Sequence, residues 1–166
     1  MRLRPAASSD AGALRALHLL AFPTAAEADL VEQLVRDGDA RISIVALEER
    51  GIVGHIVFSR MGVQAGGQAL DALGLAPVAV LPERQGNGIG SALVEAGIAE
   101  ARRSGTDIIF VLGETEFYGS FGFRAETARP FASRYGGPHF QALLLNPTIG
   151  PLESGSADYA PAFEGL

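Results

Sequence analysis

The sequence predicts an α/β (α+β) protein with a mixed, mostly antiparallel central sheet flanked by about four helices. Three observations predict it. Between residues 42 and 81 strand-like runs alternate with short turns, the pattern of an antiparallel meander. Between residues 78 and 112 two β-rich runs enclose a helical pattern, a crossover that joins parallel neighbours. Ahead of the meander stand two helical patterns, each with one apolar side.

In chain order, Leu3 between arginines reads as a short first strand. Ser8-Ser9-Asp10 supplies N-cap chemistry for a helix carrying Leu14, Leu17, Leu20 and Ala21 on one side, and Pro23 stops it. Thr24-Ala25-Ala26-Glu27 has the form of a capping box ahead of Leu30, Val31, Leu34 and Val35. Glu27 is thereby explained as a residue capping back onto Thr24, with a catalytic role as the alternative. Strands over Ile42–Leu47 and Ile52–Phe58, joined by Glu48-Glu49-Arg50-Gly51, form a hairpin, and Gln64–Gln68 turns the chain into a long strand, Ala69–Leu81. His55 in the middle strand reads as a satisfied sheet residue without a role.

The long strand ends in Val78-Ala79-Val80-Leu81-Pro82 and opens into Glu83-Arg84-Gln85-Gly86-Asn87-Gly88-Ile89-Gly90-Ser91, with three glycines in five positions. A helix follows at once, Ile89 through Arg103. Its apolar face is Ile89, Leu93, Ala96 and Ala99, and Arg102 and Arg103 complement the dipole at its end. Strand, glycine-rich turn and helix start gather backbone N–H groups at the positive end of a helix dipole, a device for holding phosphate. The plainer alternative is a tight turn with no ligand. The apolar run Ile108–Leu112 reads as a buried strand. Gly113–Glu116 opens a short helix over Phe117–Phe121 that Gly122 closes, Phe123 begins another strand, and Gln141–Leu145 is the last clear one. Residues 1–150 are expected to form one domain. Residues 151–166, rich in Gly, Pro and Ser, are expected to be a tail packed irregularly on it, anchored by Tyr159 and Phe163.

Composition narrows the chemistry. Among 166 residues there is no cysteine, which excludes disulfides, thiolate metal sites and an acyl-cysteine intermediate. All 13 basic residues are arginine, so neither a P-loop lysine nor a Schiff-base lysine is available. A net charge of −6 speaks against a nucleic-acid footprint. With 48% hydrophobic residues and a mean hydropathy of +0.21 the chain can bury a real core. No apolar run is long enough for a membrane span and Met1-Arg2-Leu3-Arg4-Pro5 lacks a signal-peptide core, so the expected setting is cytoplasmic, without a membrane partner.

Three phosphate readers fit a glycine loop of this kind. A dinucleotide fold needs a third glycine where this chain has Ser91 and an acid at the end of the next strand, where Asp107 stands at its start. A P-loop fails on the missing lysine. Coenzyme A remains: its pyrophosphate needs amide donors at a helix start, and its pantetheine arm can add to a strand edge.

At these residues the sequence resembles the GNAT N-acetyltransferase superfamily. Gln85-Gly86-Asn87-Gly88-Ile89-Gly90 matches the family's Q/R-x-x-G-x-G/A acetyl-CoA signature, and Tyr118-Gly119-Ser120-Phe121-Gly122-Phe123 matches its later Y-x-x-x-G-F element. The tail Tyr159-Ala160-Pro161-Ala162-Phe163 is similar to that of a bacterial branch of small predicted acetyltransferases. The resemblance implies a sheet splayed into a wedge after the strand ending near Leu81, with acetyl-CoA as co-substrate and no metal. It implies that backbone groups of Val78 and Val80 pair with pantetheine, that an N–H near Val78 or Ala79 polarises the thioester carbonyl, and that amides from Gln85 through Gly86, Asn87, Gly88 and Gly90 to Ser91 hold the pyrophosphate. Tyr118, which on bare sequence reads as a packing aromatic, becomes the expected general acid toward the departing thiolate. Asp71, Glu114, Glu116 and Glu27 are candidate bases, none preferred, and His139 is unassigned. The acceptor is expected to be an amine of a small molecule or peptide. A non-catalytic acyl-CoA-binding sensor and a ribosome-associated acetylase are the alternatives, and a homodimer is compatible with the family.

Overall fold

A computed structural model of the chain describes residues 1–149 and 152–166. The expected boundary at 150/151 falls outside the described residues. The elements are β1 (Arg2–Pro5), α1 (Ala11–Ala21), α2 (Ala26–Arg36), β2 (Ala40–Glu48), β3 (Gly51–Ala65), β4 (Gln68–Val80), α3 (Ile89–Arg103), β5 (Ile108–Leu112), α4 (Thr115–Gly119), α5 (Ala125–Ala128), β6 (Phe131–Ala132), β7 (Phe140–Leu144) and β8 (Gly155–Tyr159). Short 3-10 turns precede α1, follow β4 and end the chain. The strands form a mixed, mostly antiparallel eight-stranded sheet, as the meander and crossover predict. The chain divides into two compact units. The first is Met1–Phe58, Ala76–Glu100 and Pro161–Leu166, and the second is Ser59–Leu75 and Ala101–Ala160.

In the first unit, β1 runs antiparallel to β2 from Arg2↔Leu47 to Pro5↔Ile44. Leu14 and Leu17 of α1 pack on Val45 and Ala79, with Phe22, Ile52 and Leu81 around them. The buried face of α1 is Leu14, Leu17 and His18, while the expected Leu20 is 63% exposed. The phase explains it: 14, 17, 18 and 21 share one side of a 3.6-residue helix and 20 does not. Helix α2 starts at Ala26 with Ala25 as N-cap, one residue later than a Thr24 cap requires, so Glu27 sits at the second helical position and makes no hydrogen bond to Thr24. The Thr24 hydroxyl instead accepts from the Ala26 amide at 3.3 Å. The expected capping box is absent. Helix α3 has its predicted limits, but its buried residues include Ile89, Leu93, Val94, Gly97 and Ile98, and Ala99 is exposed. A Cβ on Gly97 would overlap the Phe58 ring, so glycine is what lets this helix seat on β3.

In the second unit, β4 and β5 are parallel from Ala72↔Ile108 to Leu75↔Val111, and β5 pairs antiparallel with β7. Phe110 stacks on Phe140 and meets Phe131 edge-on, both at 5.2 Å between ring centres. Phe123 does not begin a strand; it is buried and leads into α5, with only the Arg124↔Ala142 bridge beside it. The tail is not irregular: β8 pairs antiparallel with β3 from Met61↔Tyr159 to Ala65↔Gly155, and parallel with β6.

Candidate functional site

The end of β4 shows what its sequence arranges. The Leu81 amide donates to the Val53 carbonyl of β3 at 2.9 Å, and the Ala79 carbonyl lies against Gly54. Strand groups alternate in direction, so Val78 and Val80 point their N–H and C=O to the other edge. Pairing of β4 with β5 ends at Leu75↔Val111, which leaves Ala76–Val80 beyond the last rung on that edge. Val78 and the Val80 N–H thus lie beyond the last rung on that edge, while the Val80 carbonyl is taken by Gln85 and Ala79 turns inward as a core residue, 2% exposed.

The loop after β4 is held from outside and within. Arg84 donates from Nε and Nη2 to both carboxylate oxygens of Glu48, each at 2.6 Å, a fork that keeps the Glu48 carboxyl below its usual range. The Gln85 side chain donates to the Val80 carbonyl at 3.2 Å, and the Asn87 amide group donates to the Arg84 and Gln85 carbonyls. Gly86 and Gly88 take φ of 79° and 81°, a region open to glycine. The first bond into α3 runs from the Ala92 amide to the Gly88 carbonyl. The amides of Gly86, Asn87, Gly88, Ile89, Gly90 and Ser91 donate to no protein acceptor among the described residues. A Cβ at Gly86 or Gly88 would meet nothing within 4 Å, so the space over the loop is open. Six free donors at the start of a four-turn helix suit a pyrophosphate in number and in charge.

In the second unit, Tyr118 stands on α4, after β5. The carbonyl of Gly113 accepts from the Gln141 side chain at 3.1 Å, and its amide donates to the His139 carbonyl, which pins the end of β5 to β7. The Tyr118 ring lies so close over Gly113 that a Cβ there would come within 2.6 Å of it. Phe117 and Phe123 meet the ring edge-on. Its hydroxyl makes no hydrogen bond among the described residues, and burial pushes the phenol above its ordinary value. The candidate bases separate by position. Asp71 is at the opposite end of the parallel β4–β5 pair, its amide bonded to Asp107, while Asp107 itself is held by Asn146. Glu114 is the N-cap of α4 and Glu116 lies in its first turn, both exposed. In the first unit, Glu27 Oε1 is buried without a partner. His139 places Nδ1 3.3 Å from the Gly113 carbonyl.

One constellation escaped the sequence reading. His55 is not alone: its Nδ1 is 2.9 Å from His18 Nε2, and its Nε2 is 2.7 Å from the Ser43 hydroxyl. Both rings are fully buried. Burial lowers His18 to about 4, and burial and then the neighbouring His18 lower His55 to about 3, so both are neutral at physiological pH. The available signal was the phase of α1, which sets His18 on the apolar stripe of Leu14 and Leu17.

The fold sets a run of outward-facing amides at the start of α3. The Acetyltransferase (GNAT) domain profile matches residues 2–125. The chain is 40% identical over 117 residues to the uncharacterised N-acetyltransferase YjhQ of Escherichia coli K12, a match covering 69% of this chain and 65% of that protein. The crystal structure of the GNAT family N-acetyltransferase YhbS of Escherichia coli in complex with CoA superposes with a TM-score of 0.88 at 28% identity, over 98% of this chain and 91% of that one. A GNAT family acetyltransferase from Brucella melitensis in complex with acetyl-CoA gives 0.80 at 32% identity, over 98% and 97%. The chain belongs to the GNAT acetyltransferase family. No helix among the described residues is long and apolar enough to cross a membrane.

Proposed function

We propose that this protein transfers the acetyl group of acetyl-CoA to an amine of a small molecule or peptide, by direct attack while both substrates are bound. The carrying observation is the run of six unengaged amides from Gly86 to Ser91 at the start of α3. Relatives bound to CoA and acetyl-CoA support the ligand.

In this reading Val78 and the Val80 N–H pair with the pantetheine amides, the Val80 carbonyl being taken by Gln85. The Val78 N–H is the donor for the thioester oxygen as negative charge develops on it. The amides from Gly86 to Ser91, with the Ser91 hydroxyl, hold the pyrophosphate, while Gln85 and Asn87 keep the loop in shape. Ala79 serves the core rather than the ligand. Acetyl-CoA supplies the acetyl group as a thioester: the amine nitrogen bonds to the carbonyl carbon, the carbon–sulfur bond breaks, and its electron pair leaves with sulfur. Tyr118, a phenol already protonated at neutral pH and pushed further up by burial, gives that sulfur a proton. The amine gives up one proton to water, and the phenolate recovers one from water, so the products are an amide and a free thiol. Without a cysteine in the chain no acyl-enzyme on sulfur intervenes.

The test is thiol release from acetyl-CoA across a panel of small amines and peptide N-termini. Release that depends on one or more amines is expected. Tight acetyl-CoA binding with no release from any amine would overturn transfer and point to a binding sensor.

A further inference from the structure

In the second unit, the end of β5 brings two side chains to one residue. The Gly113 amide donates to the His139 carbonyl at 3.1 Å, which carries the β5–β7 register one place past Leu112↔Phe140. Residues opposite one another in an antiparallel pair set their side chains on the same face, with Cβ atoms about 5 Å apart. Residue 113 has no side chain, and the Tyr118 ring takes up that space. A Cβ there would come within 2.6 Å of Tyr118 Cε2 and 3.7 Å of Cζ, the carbon that bears the hydroxyl. His139 and Tyr118 are therefore neighbours on one face at the end of this strand pair, although α5 and β6 separate them in sequence.

The contact with Gly113 also fixes which nitrogen of His139 is basic. His139 Nδ1 lies 3.3 Å from the Gly113 carbonyl oxygen. A carbonyl oxygen only accepts, so in the neutral ring Nδ1 carries the hydrogen and Nε2 the lone pair. Nε2 has no hydrogen-bond partner among the described residues, and the residue is exposed. One nitrogen thus orients the ring and the other is left open as an acceptor, the arrangement of a base positioned by a third group. The carboxylates of the same turn lack such a hold. Neither the Glu114 nor the Glu116 side chain makes a hydrogen bond among the described residues. Beside the Tyr118 phenol, which offers a hydrogen, His139 offers a lone pair.

We propose that His139 Nε2 is the base that receives the proton given up by the attacking amine. This role rests on acetyl transfer with Tyr118 as the acid, and it supplies the destination of a proton that otherwise passes to water. As the amine nitrogen bonds to the carbonyl carbon, one N–H bond breaks, its electron pair stays on nitrogen, and the proton reaches Nε2 through that water. Nδ1–H keeps its bond to Gly113, so the imidazolium is held where it forms. Tyr118 meanwhile loses its proton to sulfur. One proton passing through solvent from the imidazolium to the phenolate restores both groups, and turnover consumes only amine and acetyl-CoA.

The test uses the full chain, acetyl-CoA and the panel of amines and peptide N-termini, with benzylamine, putrescine and glycinamide among its members. His139→Gln keeps an N–H able to donate to the Gly113 carbonyl and removes the base. Its turnover is expected to fall by about 10² or more, with KM for acetyl-CoA unchanged within about twofold. His139→Ala is expected to be as slow and to regain about tenfold in added imidazole, a rescue that Tyr118→Phe does not share. In ¹⁵N spectra of the histidine-labelled, unaltered protein, the neutral His139 ring is expected as the Nδ1–H tautomer. Turnover of His139→Gln within about threefold of the unaltered protein overturns the base while acetyl transfer stands. So does an Nε2–H tautomer, or a His139→Ala variant that imidazole does not rescue. An unaltered protein that releases no thiol with any member of the panel overturns the acetyl-transfer reading, and the base with it.

Discussion

After β4 the chain turns through Pro82–Gly88 and leaves the amides from Gly86 to Ser91 without acceptors. After β5 it turns through Gly113–Gly122 and closes on itself: Tyr118 donates to Glu114, Ser120 to Glu116, Phe121 and Phe123 to Tyr118, and Gly122 to Gly119. Both turns carry glycine, and both follow a strand of the parallel pair. The first spends its side chains on fixing the loop, through Arg84, Gln85 and Asn87, and offers its backbone outward. The second spends its backbone on fixing the loop and offers a side chain, the free hydroxyl of Tyr118. The two turns thus differ in what they leave unsatisfied: backbone donors in the first, a side-chain hydroxyl in the second.

The largest effect separating the two is expected from Tyr118→Phe. Losing a general acid lowers turnover by about 10² or more, with KM for acetyl-CoA unchanged within about twofold, since binding is assigned to the other turn. The hydroxyl makes no hydrogen bond, so thermal stability should hold and the comparison stays clean. Burial raises the phenol above about 10, so turnover of the unaltered protein should show no alkaline fall from this group below that pH. Unchanged turnover of the Phe variant at saturating acetyl-CoA would remove Tyr118 from the chemistry.

A matched pair of glycine substitutions comes next in size. Gly88 has φ of 81°, while Gly119 lies in α4 and is not among the positive-φ glycines, and a Cβ meets nothing within 4 Å at either position. Sterics cannot distinguish them, but backbone conformation does, because a side chain in the left-handed region costs about 1–2 kcal/mol. Gly88→Ala is expected to raise KM for acetyl-CoA by about tenfold, with turnover little changed. Gly119→Ala is expected to leave KM unchanged. A larger KM effect at Gly119 in steady-state kinetics would reverse the roles of the two turns.

Much of this was legible because local chemistry decides it. The limits of α3 follow from Gly88 before it and Gly105 after it, and the parallel β4–β5 pair follows from two apolar runs around one helix. What stayed hidden depends on distant partners. Nothing near Gly155-Ser156-Ala157-Asp158-Tyr159 favours a strand; β8 exists because β3 offers a free edge, and a Cβ at Gly155 would run into the Gln64 backbone. His18 and His55 are 37 positions apart and meet only once α1 lies on the sheet. Glu27 was misread because two helix starts one residue apart are nearly equivalent in sequence, and only the fold chooses Ala25 over Thr24 as the cap.

The smallest expected effect concerns how the first turn is held. Arg84 and Glu48 form a two-pronged ion pair, but both side chains are partly exposed, at 37% and 26%, so water screens it and its contribution is small. Arg84→Gln should loosen the loop without touching any donor, because the carbonyl of residue 84 still accepts from Asn87. KM for acetyl-CoA is expected to rise about two- to threefold, a change within the range of an exposed ion pair, and turnover to stay constant. Because exposed pairs are screened, the gap between variant and parent should narrow as salt rises in a KM series at increasing ionic strength. A gap that does not narrow with salt would mean that Arg84 acts on the ligand itself, and the first turn would then bind through a side chain as well as its backbone.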